Sequence, residues 1–153
     1  MSGARLRYEL LGALVGRHRL APPPLESRGA TGRWGEGVAA DYLRRARRLK
    51  VLYRNYRTDH GDEVDLVVRD GDVLVFVEVR TRSASARLRP IETVITEKRR
   101  RLLRAARRWM QLLNNPDVAS RMDIVEVILH AGEPPEVHHH PNAFEPEDAM
   151  SAG

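Results

Sequence analysis

Three carboxylates in two neighbouring β-branched segments are the residues of this sequence whose types and spacing could do chemistry. Glu63 and Asp65 lie at the start of the first segment, and Glu78 lies near the end of the second. The pair Asp70-Gly71 separates the segments and is a strong signal for a tight hairpin turn. The segments are therefore predicted to pair as antiparallel strands, with the acids at the open end of the hairpin.

The register of this hairpin follows from the position of its turn. If Asp70 and Gly71 occupy the turn, Glu63 lies opposite Glu78, and Asp65 lies diagonal to Glu78 at about 5–8 Å. Residues alternate between the two faces of a strand, so the acids share one face and an aliphatic set fills the other. The aliphatic set is Val64, Leu66, Val68, Val73, Val75 and Val77.

Acids crowded in this way favour a bound cation, because like charges on opposed strand positions are destabilising. Ligands that are all oxygen atoms indicate a hard ion, Mg²⁺ or Mn²⁺. Glu36 borders the apolar stripe of a preceding helix and could add a further ligand. Two plainer interpretations stay open. The hairpin acids can form a solvated rim neutralised by Arg80, and Glu36 can be a first-turn acid that the helix dipole favours.

The elements around the hairpin predict an α/β fold with a central mixed sheet flanked by helices. Apolar residues at three- and four-residue spacing indicate helices, and runs of β-branched residues indicate strands. The predicted order is helix, three strands, helix, strand. The elements are a helix from about Arg33 to Arg48 capped by Thr31, a strand over 50–57, the hairpin over 63–69 and 73–80, a basic loop over 81–95, a helix from Thr96 to about Asn114, a strand over Met122–Leu129 and a short strand over Val137–His140.

Two cations near the start of the second helix are in unusual positions. Arg99 falls near the centre of the apolar stripe, and Lys98 lies at its margin. A cation at a helix N-terminus opposes the helix dipole, so Lys98 is mildly disfavoured unless it serves a phosphate or a carboxylate. The alternative is a side chain that extends its ammonium group to solvent.

The length of 153 residues fits one domain. We expect a flexible extension over 1–31 with a proline-rich linker at Pro22-Pro23-Pro24, a domain over 32–144 and a disordered acidic tail over 145–153. The chain has no cysteine, which excludes disulfides and thiolate metal sites. No apolar run approaches the roughly 20 residues that span a bilayer, and no secretory signal is present, so we expect a cytoplasmic protein without a membrane partner.

The charge of the chain is basic and concentrated in its middle. Lys and Arg number 26 against 21 Asp and Glu. Residues 33–108 contain 20 basic and 11 acidic residues, a net charge of +9. Most of these cations are arginines, whose planar donors suit phosphate, so nucleic acid is a candidate partner. A solvated basic surface is the alternative.

Several short motifs together resemble the YraN family, a bacterial family similar to archaeal Holliday junction resolvases within the PD-(D/E)XK nuclease superfamily. The resemblance covers about residues 32–144 and implies a restriction-endonuclease-like core with the order α-β-β-β-α-β. The motifs are Gly35-Glu36, Ala39-Ala40, Tyr42-Leu43, Asn55-Tyr56-Arg57, Gly61 to Val67, Val75 to Arg80, Thr96-Glu97-Lys98, Arg121 to Val125 and Asn142-Ala143-Phe144.

The resemblance implies a role for each acid of the candidate site. Asp65 resembles the metal-binding aspartate of the superfamily, Glu78 the acid of its E-x-K element, and Glu36 the glutamate of the first helix. Arg80 stands where the superfamily usually has lysine, and this departure places the nuclease activity of the chain in question. Some members take the lysine from a neighbouring helix, and Lys98 is the natural candidate here.

The sequence therefore predicts an endonuclease that uses Mg²⁺ or Mn²⁺ to hydrolyse DNA phosphodiesters, with branched DNA among its candidate substrates and a homodimer as one option. Asp65, Glu78, Lys98 and Arg80 are its candidate catalytic residues. The alternatives are a non-catalytic nucleic-acid-binding protein that kept the fold and a protein-interaction scaffold. The candidate nucleic-acid contacts are Arg82, Arg87 and Arg89 of the basic loop and Arg99 and Arg101 of the second helix.

Overall fold

The computed structural model describes residues 6–7, 28–86 and 96–144. The predicted acidic tail and most of the predicted N-terminal extension lie outside these ranges. No helix within them is long and apolar enough to cross a membrane. The elements are β1 (Leu6–Arg7), α1 (Arg28–Arg45), β2 (Lys50–Arg57), β3 (Glu63–Asp70), β4 (Val73–Ser83), α2 (Thr96–Leu112), β5 (Ser120–Leu129) and β6 (Glu136–Phe144).

The strands form one mixed sheet in the order β1-β6-β5-β4-β3-β2. Strands β4 and β5 are parallel, and the other neighbours are antiparallel. Helix α1 packs on one face over an aliphatic cluster that includes Leu66 and Val77, and α2 packs on the other face over a cluster that includes Val67 and Phe76. The predicted α/β fold and the order helix, three strands, helix, strand are confirmed. Helix α1 begins earlier than predicted, so Thr31 lies inside the helix and does not cap it.

The hairpin forms, but its turn lies one residue further along the chain than predicted. Asp70 pairs with Val73, so the turn residues are Gly71 and Asp72. Gly71 has a φ of 57°, and glycine at the first central position is one of the favoured two-residue hairpin turns. Arg121 of β5 also holds the Asp70 carboxylate at 2.8 Å, which fixes Asp70 at the strand end.

This turn moves every cross-strand partner by two residues. The last pair of the β3–β4 ladder is Leu66 with Val77, so Asp65 and Glu78 occupy the next positions on the two strands. The predicted opposition of Glu63 and Glu78 is wrong. Glu63 instead forms an exposed ion pair with Arg57 at 3.1 Å. A shift of two residues preserves the face of each side chain, so Asp65 and Glu78 stay on the predicted face.

Regular alternation ends at Asp65. Leu66 packs in the cluster under α1, whereas Val64, which alternation places on the same face, packs in the cluster under α2. The prediction for Val64 is therefore wrong. The change of face occurs at Asp65, where the ladder between β3 and β4 has just ended.

Strand β2 at the sheet edge is irregular in two places. Its register with β3 shifts between Val51 and Tyr53, and Asn55 has a φ of 54° in the left-handed region. Because of this irregularity Tyr53 and Tyr56, three residues apart, both contact Trp109 of α2.

Helix α2 is tied to the β2–β3 connection by a two-pronged ion pair. Arg104 donates from Nε and Nη2 to the two oxygens of Asp62 at 2.9 and 2.8 Å. Asp62 is buried, while Arg104 is 49% exposed. The hydrogen bonds from Arg104 hold the pKa of Asp62 below its ordinary value, against the opposing effect of burial.

We expect this pair to make part of the stability acid-sensitive. The folded pKa of Asp62 lies below its ordinary value of 3.8. Its stabilisation is therefore complete above that pH and is lost as the pH falls through the folded pKa. We expect Asp62→Asn to cost about 1 kcal/mol at pH 7, because solvent screens the half-exposed Arg104, and much less near pH 2. Denaturant unfolding at both pH values measures the difference. Asp59→Asn, an exposed acid in the same connection, is the control, and equal losses at both pH values would contradict the assignment.

Candidate active site

The carboxylate of Asp65 is held against strand β4 at the point where the two strands separate. The Val79 N–H donates to Asp65 Oδ2 at 2.7 Å. This bond spans the gap just beyond the last paired residues of the ladder. It orients the Asp65 carboxylate beside Glu78, the residue that precedes Val79, and so brings the two predicted acids together.

Asp65 lies in surroundings that disfavour the ionised form of its carboxyl group. Burial raises the pKa of Asp65 to about 8, and the Glu78 carboxylate is the second cause. The Val79 N–H lowers this pKa, Glu36 raises it further, and Lys98 lowers it. Glu78 and Glu36 therefore both act on Asp65 as like charges.

The donor set fits a hard divalent ion in its chemistry. Its ligating atoms are all carboxylate oxygens, and Glu36 Oε2 is buried without a hydrogen-bond partner among residues 28–86 and 96–144. A buried carboxylate oxygen without a partner is costly unless a cation or donor reaches it. Within those residues, no three or more His, Cys, Asp or Glu side chains form a group that could hold a metal ion, so a cage of three protein ligands is not present. Mg²⁺ needs no such cage, because it commonly binds one or two carboxylates together with waters and substrate phosphates.

Glycine at position 35 allows α1 to bring Glu36 close to the sheet. A Cβ at Gly35 would overlap Thr81 Oγ1 and lie 2.9 Å from Thr81 Cβ. The helix therefore touches β4 through its backbone, one residue before Glu36 and one residue after Arg80. The sequence signal was the Gly35-Glu36 pair, but the close approach to Thr81 was not predicted.

We expect Gly35→Ala to destabilise the fold by about 1–3 kcal/mol, because overpacking exceeds the roughly 1 kcal/mol that alanine contributes to helix propensity. The matched control is Gly32→Ala in the same helix, where an added Cβ meets nothing within 4 Å and propensity predicts a gain. Thermal unfolding of the two variants measures the contrast. A Gly35→Ala protein as stable as the Gly32→Ala protein would show that α1 does not need this contact.

A lysine from α2 reaches the acids from the opposite side of the sheet to α1. Lys98 Nζ forms an ion pair with Glu78 Oε1. Glu78 is only 5% exposed, whereas the Lys98 side chain is 53% exposed. The acid is thus fixed in the interior while the ammonium group faces solvent. The two residues line a pocket of 380 Å³ together with Gly61, Glu63, Glu97 and Arg101.

Arg80 lies on β4 two residues beyond Glu78 and is partly buried. Burial lowers its pKa, and the carboxylates of Glu78 and Glu126 oppose that effect. A guanidinium remains charged in proteins, so Arg80 can balance charge but cannot remove a proton. The lysine in contact with the site comes from α2, where the sequence placed the candidate Lys98.

The predicted nucleic-acid contacts fall in three environments. Arg82 lies in strand β4 with its Nε 3.8 Å from Glu126 Oε1, so the predicted basic loop is wrong at its start. Arg99 is partly buried on α2, and its charge acts on Arg80. Arg101 is 60% exposed and lies 3.6 Å from Glu97. The remaining two, Arg87 and Arg89, lie outside the described residues.

Asp123 at the start of β5, which the sequence favours as a structural acid over a catalytic one, is a further buried carboxylate. Asp123 is fully buried and accepts hydrogen bonds from Arg121 Nε at 2.9 Å, His139 Nε2 at 2.8 Å and the Asn142 N–H at 2.9 Å. Burial would raise the pKa of Asp123, but these three bonds together hold it below its ordinary value. A carboxylate with this many partners serves the fold and not a substrate.

Comparison with known proteins identifies a family whose matched region covers the residues of the site. The sequence model of the family described as "Uncharacterised protein family UPF0102" matches residues 35–127. A UPF0102 protein of Anaeromyxobacter dehalogenans is 48% identical over 120 residues, which are 78% of this chain and 87% of that protein. One from Streptomyces coelicolor is 43% identical over 116 residues, 75% of this chain and 88% of its own length. One from Geobacter metallireducens is 40% identical over 111 residues, which are 72% of this chain and 88% of that protein.

Proposed function

Since the chain belongs to the uncharacterised protein family UPF0102, the YraN family, we propose its activity from its own site: it is a divalent-metal-dependent nuclease that hydrolyses DNA phosphodiesters. The observation that carries the proposal is the meeting of Asp65, Glu78 and Lys98 at the open end of the β3–β4 hairpin. An acid whose ionisation is disfavoured by burial and by a neighbouring carboxylate, beside one solvent-facing ammonium group, suits a cation and a phosphate better than a solvated rim.

Asp65 and Glu78, with Glu36, would hold Mg²⁺ or Mn²⁺. Such an ion supplies a Lewis acid for the phosphate and lowers the pKa of the attacking water. The Val79 N–H keeps the Asp65 carboxylate turned toward the site at 2.7 Å. Burial keeps Glu78 in one place, and the partnerless Glu36 Oε2 offers a further oxygen from α1.

Lys98 would stabilise the negative charge that develops on the phosphate. Its ammonium group is anchored to Glu78 yet half exposed, so it can contact a phosphate oxygen at the mouth of the pocket. A fixed cation directed at the developing charge is among the largest contributions to catalysis. Arg80 would play a lesser part, since its guanidinium is partly buried near Glu126.

The experiment that tests this function is incubation of the purified protein with branched, single-stranded and duplex DNA, with Mg²⁺, with Mn²⁺ and with a chelator. We expect cleavage only with metal. DNA affinity should fall steeply with salt, because phosphate contacts release counterions. Absence of cleavage under all conditions, together with salt-dependent binding, would refute the enzyme and leave the binder. Absence of binding at low salt would refute both.

The second candidate function is a non-catalytic nucleic-acid-binding protein with the nuclease fold. Arginine at position 80, where the superfamily usually has lysine, is the observation that favours it. The two candidates differ in the response to metal. Mn²⁺ titrated into the enzyme should bind at Asp65 and Glu78 and be needed for turnover, whereas DNA binding by a pure binding protein should not depend on it.

A further inference from the structure

Three aromatic rings pack together at the end of α2 that is remote from the acids. Trp109 lies 5.3 Å from Tyr53 and 5.0 Å from Tyr56 between ring centroids, and the two tyrosine rings are 6.2 Å apart. Tyr56 and Trp109 are partly buried, but Tyr53 is 49% exposed. The cluster therefore holds one open aromatic ring in place with two supporting rings.

The surface that leads from the acids to these rings is cationic. Helix α2 carries seven basic residues and one acidic residue, Glu97. Arg101 and Arg108, between Lys98 and the aromatic cluster, are both exposed. Exposed cations along a helix that leads to an open ring are the combination that binds single-stranded nucleic acid, where phosphates meet cations and bases stack on aromatic side chains.

The spacing along α2 sets the length of such a strand. Lys98 and Trp109 are eleven positions apart in one helix, which is about 16 Å at 1.5 Å per residue. Successive nucleotides of a stacked strand are about 3.4 Å apart. A strand with one phosphate at Lys98 would thus bring a base to the rings about five nucleotides away.

We propose that Tyr53, supported by Tyr56 and Trp109, is a stacking platform for an unpaired nucleobase of a single-stranded segment whose backbone follows α2. This proposal rests on the proposed function, because it names the preferred substrate of the same site. That substrate would be a nucleic acid with an unpaired segment. The platform is separate from the acids and requires no metal.

A protein strand added to the edge of β2 is the other possible occupant of this surface. The edge is poorly suited to it. The register shift between Val51 and Tyr53 and the left-handed Asn55 interrupt the regular spacing of backbone donors and acceptors that a paired strand requires. The cationic helix beside the rings also favours a polyanion over an unspecified protein.

The test uses tryptophan fluorescence with a single reporter. The chain has two tryptophans, so Trp34→Phe leaves Trp109 alone. We expect a short oligothymidylate, added in the presence of a chelator, to quench Trp109. In this background Tyr53→Leu should weaken oligothymidylate binding about 5- to 100-fold, the loss expected for one stacked base. Tyr53→Phe should bind as the parent does.

Leu52→Ala is the matched control, because Leu52 is similarly exposed on the same strand and has no ring to stack; it should bind as the parent. Thermal unfolding checks that the Tyr53→Leu variant folds. If this variant does not fold, quenching of Trp109 in the parent protein by oligothymidylate tests the platform. Unquenched Trp109, full binding by Tyr53→Leu, or a change in oligomeric state in place of weaker binding would each overturn the platform.

Cleavage assays on the same proteins separate this proposal from the proposed function. Cleavage that occurs while Tyr53→Leu binds normally would overturn the platform and leave the nuclease. A Tyr53-dependent affinity for oligothymidylate in a protein that never cuts would support the platform and refute the nuclease.

Discussion

Asp65→Asn is expected to reduce DNA cleavage by roughly 10³-fold, on the scale of losing one preorganised charge-stabilising group, while leaving DNA binding intact or tighter. Asparagine keeps the shape and one oxygen but removes the charge that would hold the ion. It also removes the negative charge that repels the phosphates wherever Asp65 is ionised, which without metal is above about pH 8. Initial rates with Mg²⁺ and Mn²⁺, and affinities in a chelator, measure the two effects. Cleavage at the wild-type rate would remove Asp65 from the site.

The same variant should unfold at a higher temperature than the wild type in a chelator. The pKa of Asp65 is raised to about 8, so between its ordinary pKa and pH 8 the folded state holds a proton that the unfolded state has released. Wild-type stability therefore falls as the pH rises through this window. Asparagine does not titrate, so its advantage should widen from pH 5 to pH 9. Asp72→Asn, an exposed acid in the turn of the same hairpin, should show no such trend.

Lys98→Ala is expected to lower kcat by about 10²-fold, the usual scale for removing one fixed stabilising group at the reacting phosphate. Arg101→Ala is the matched control, because both residues are exposed cations on α2 and both line the pocket. Arg101 is assigned to the DNA backbone, so its loss should raise KM and leave kcat nearly unchanged. If the two variants lose activity in the same way, Lys98 is an ordinary backbone contact.

Arg80→Lys extends this test to the position where the nuclease superfamily that the sequence resembles usually has lysine. We expect it to preserve or raise activity, because it restores the usual residue beside Glu78. If the wild type binds every DNA form and cuts none, and Arg80→Lys gains activity, the arginine is what disables the site. The non-catalytic binder is then the better description of the natural protein.

The shared face of Asp65 and Glu78 could be predicted because it depends on local alternation, which holds along β3 from Asp65 onward. A hairpin turn placed one residue early moved every partner by two, and a shift of two keeps each residue on its face. The pairing itself could not be predicted, because both Asp70-Gly71 and Gly71-Asp72 are acceptable turn pairs. The bond from Arg121 of β5 to Asp70 joins residues far apart in the sequence, and no local pattern reveals it.

The contacts that cross between elements lay beyond sequence reasoning for the same reason. The Arg104–Asp62 pair and the Val79 bond to Asp65 join different elements, and neither residue pair carries a periodic signal. Lys98 was singled out because its position on the helix was unfavourable, and a residue that opposes its local preference often serves a site. Val64 was assigned to the wrong face because alternation fails beyond Asp65. There the Asp65 side chain, and not a backbone pair, connects β3 to β4.

Besides its apolar packing on the sheet, helix α2 is held by three polar or aromatic side chains along its length, and this has a consequence for how the molecule opens. Lys98 and Arg104 hold its first half through ion pairs with Glu78 and Asp62, while Trp109 holds its second half through ring packing. Salt screens half-exposed ion pairs and leaves apolar packing intact. Amide hydrogen exchange at raised ionic strength should therefore quicken first in the N-terminal turns of α2. The domain would release its lysine from the acids by local fraying, well before it unfolds.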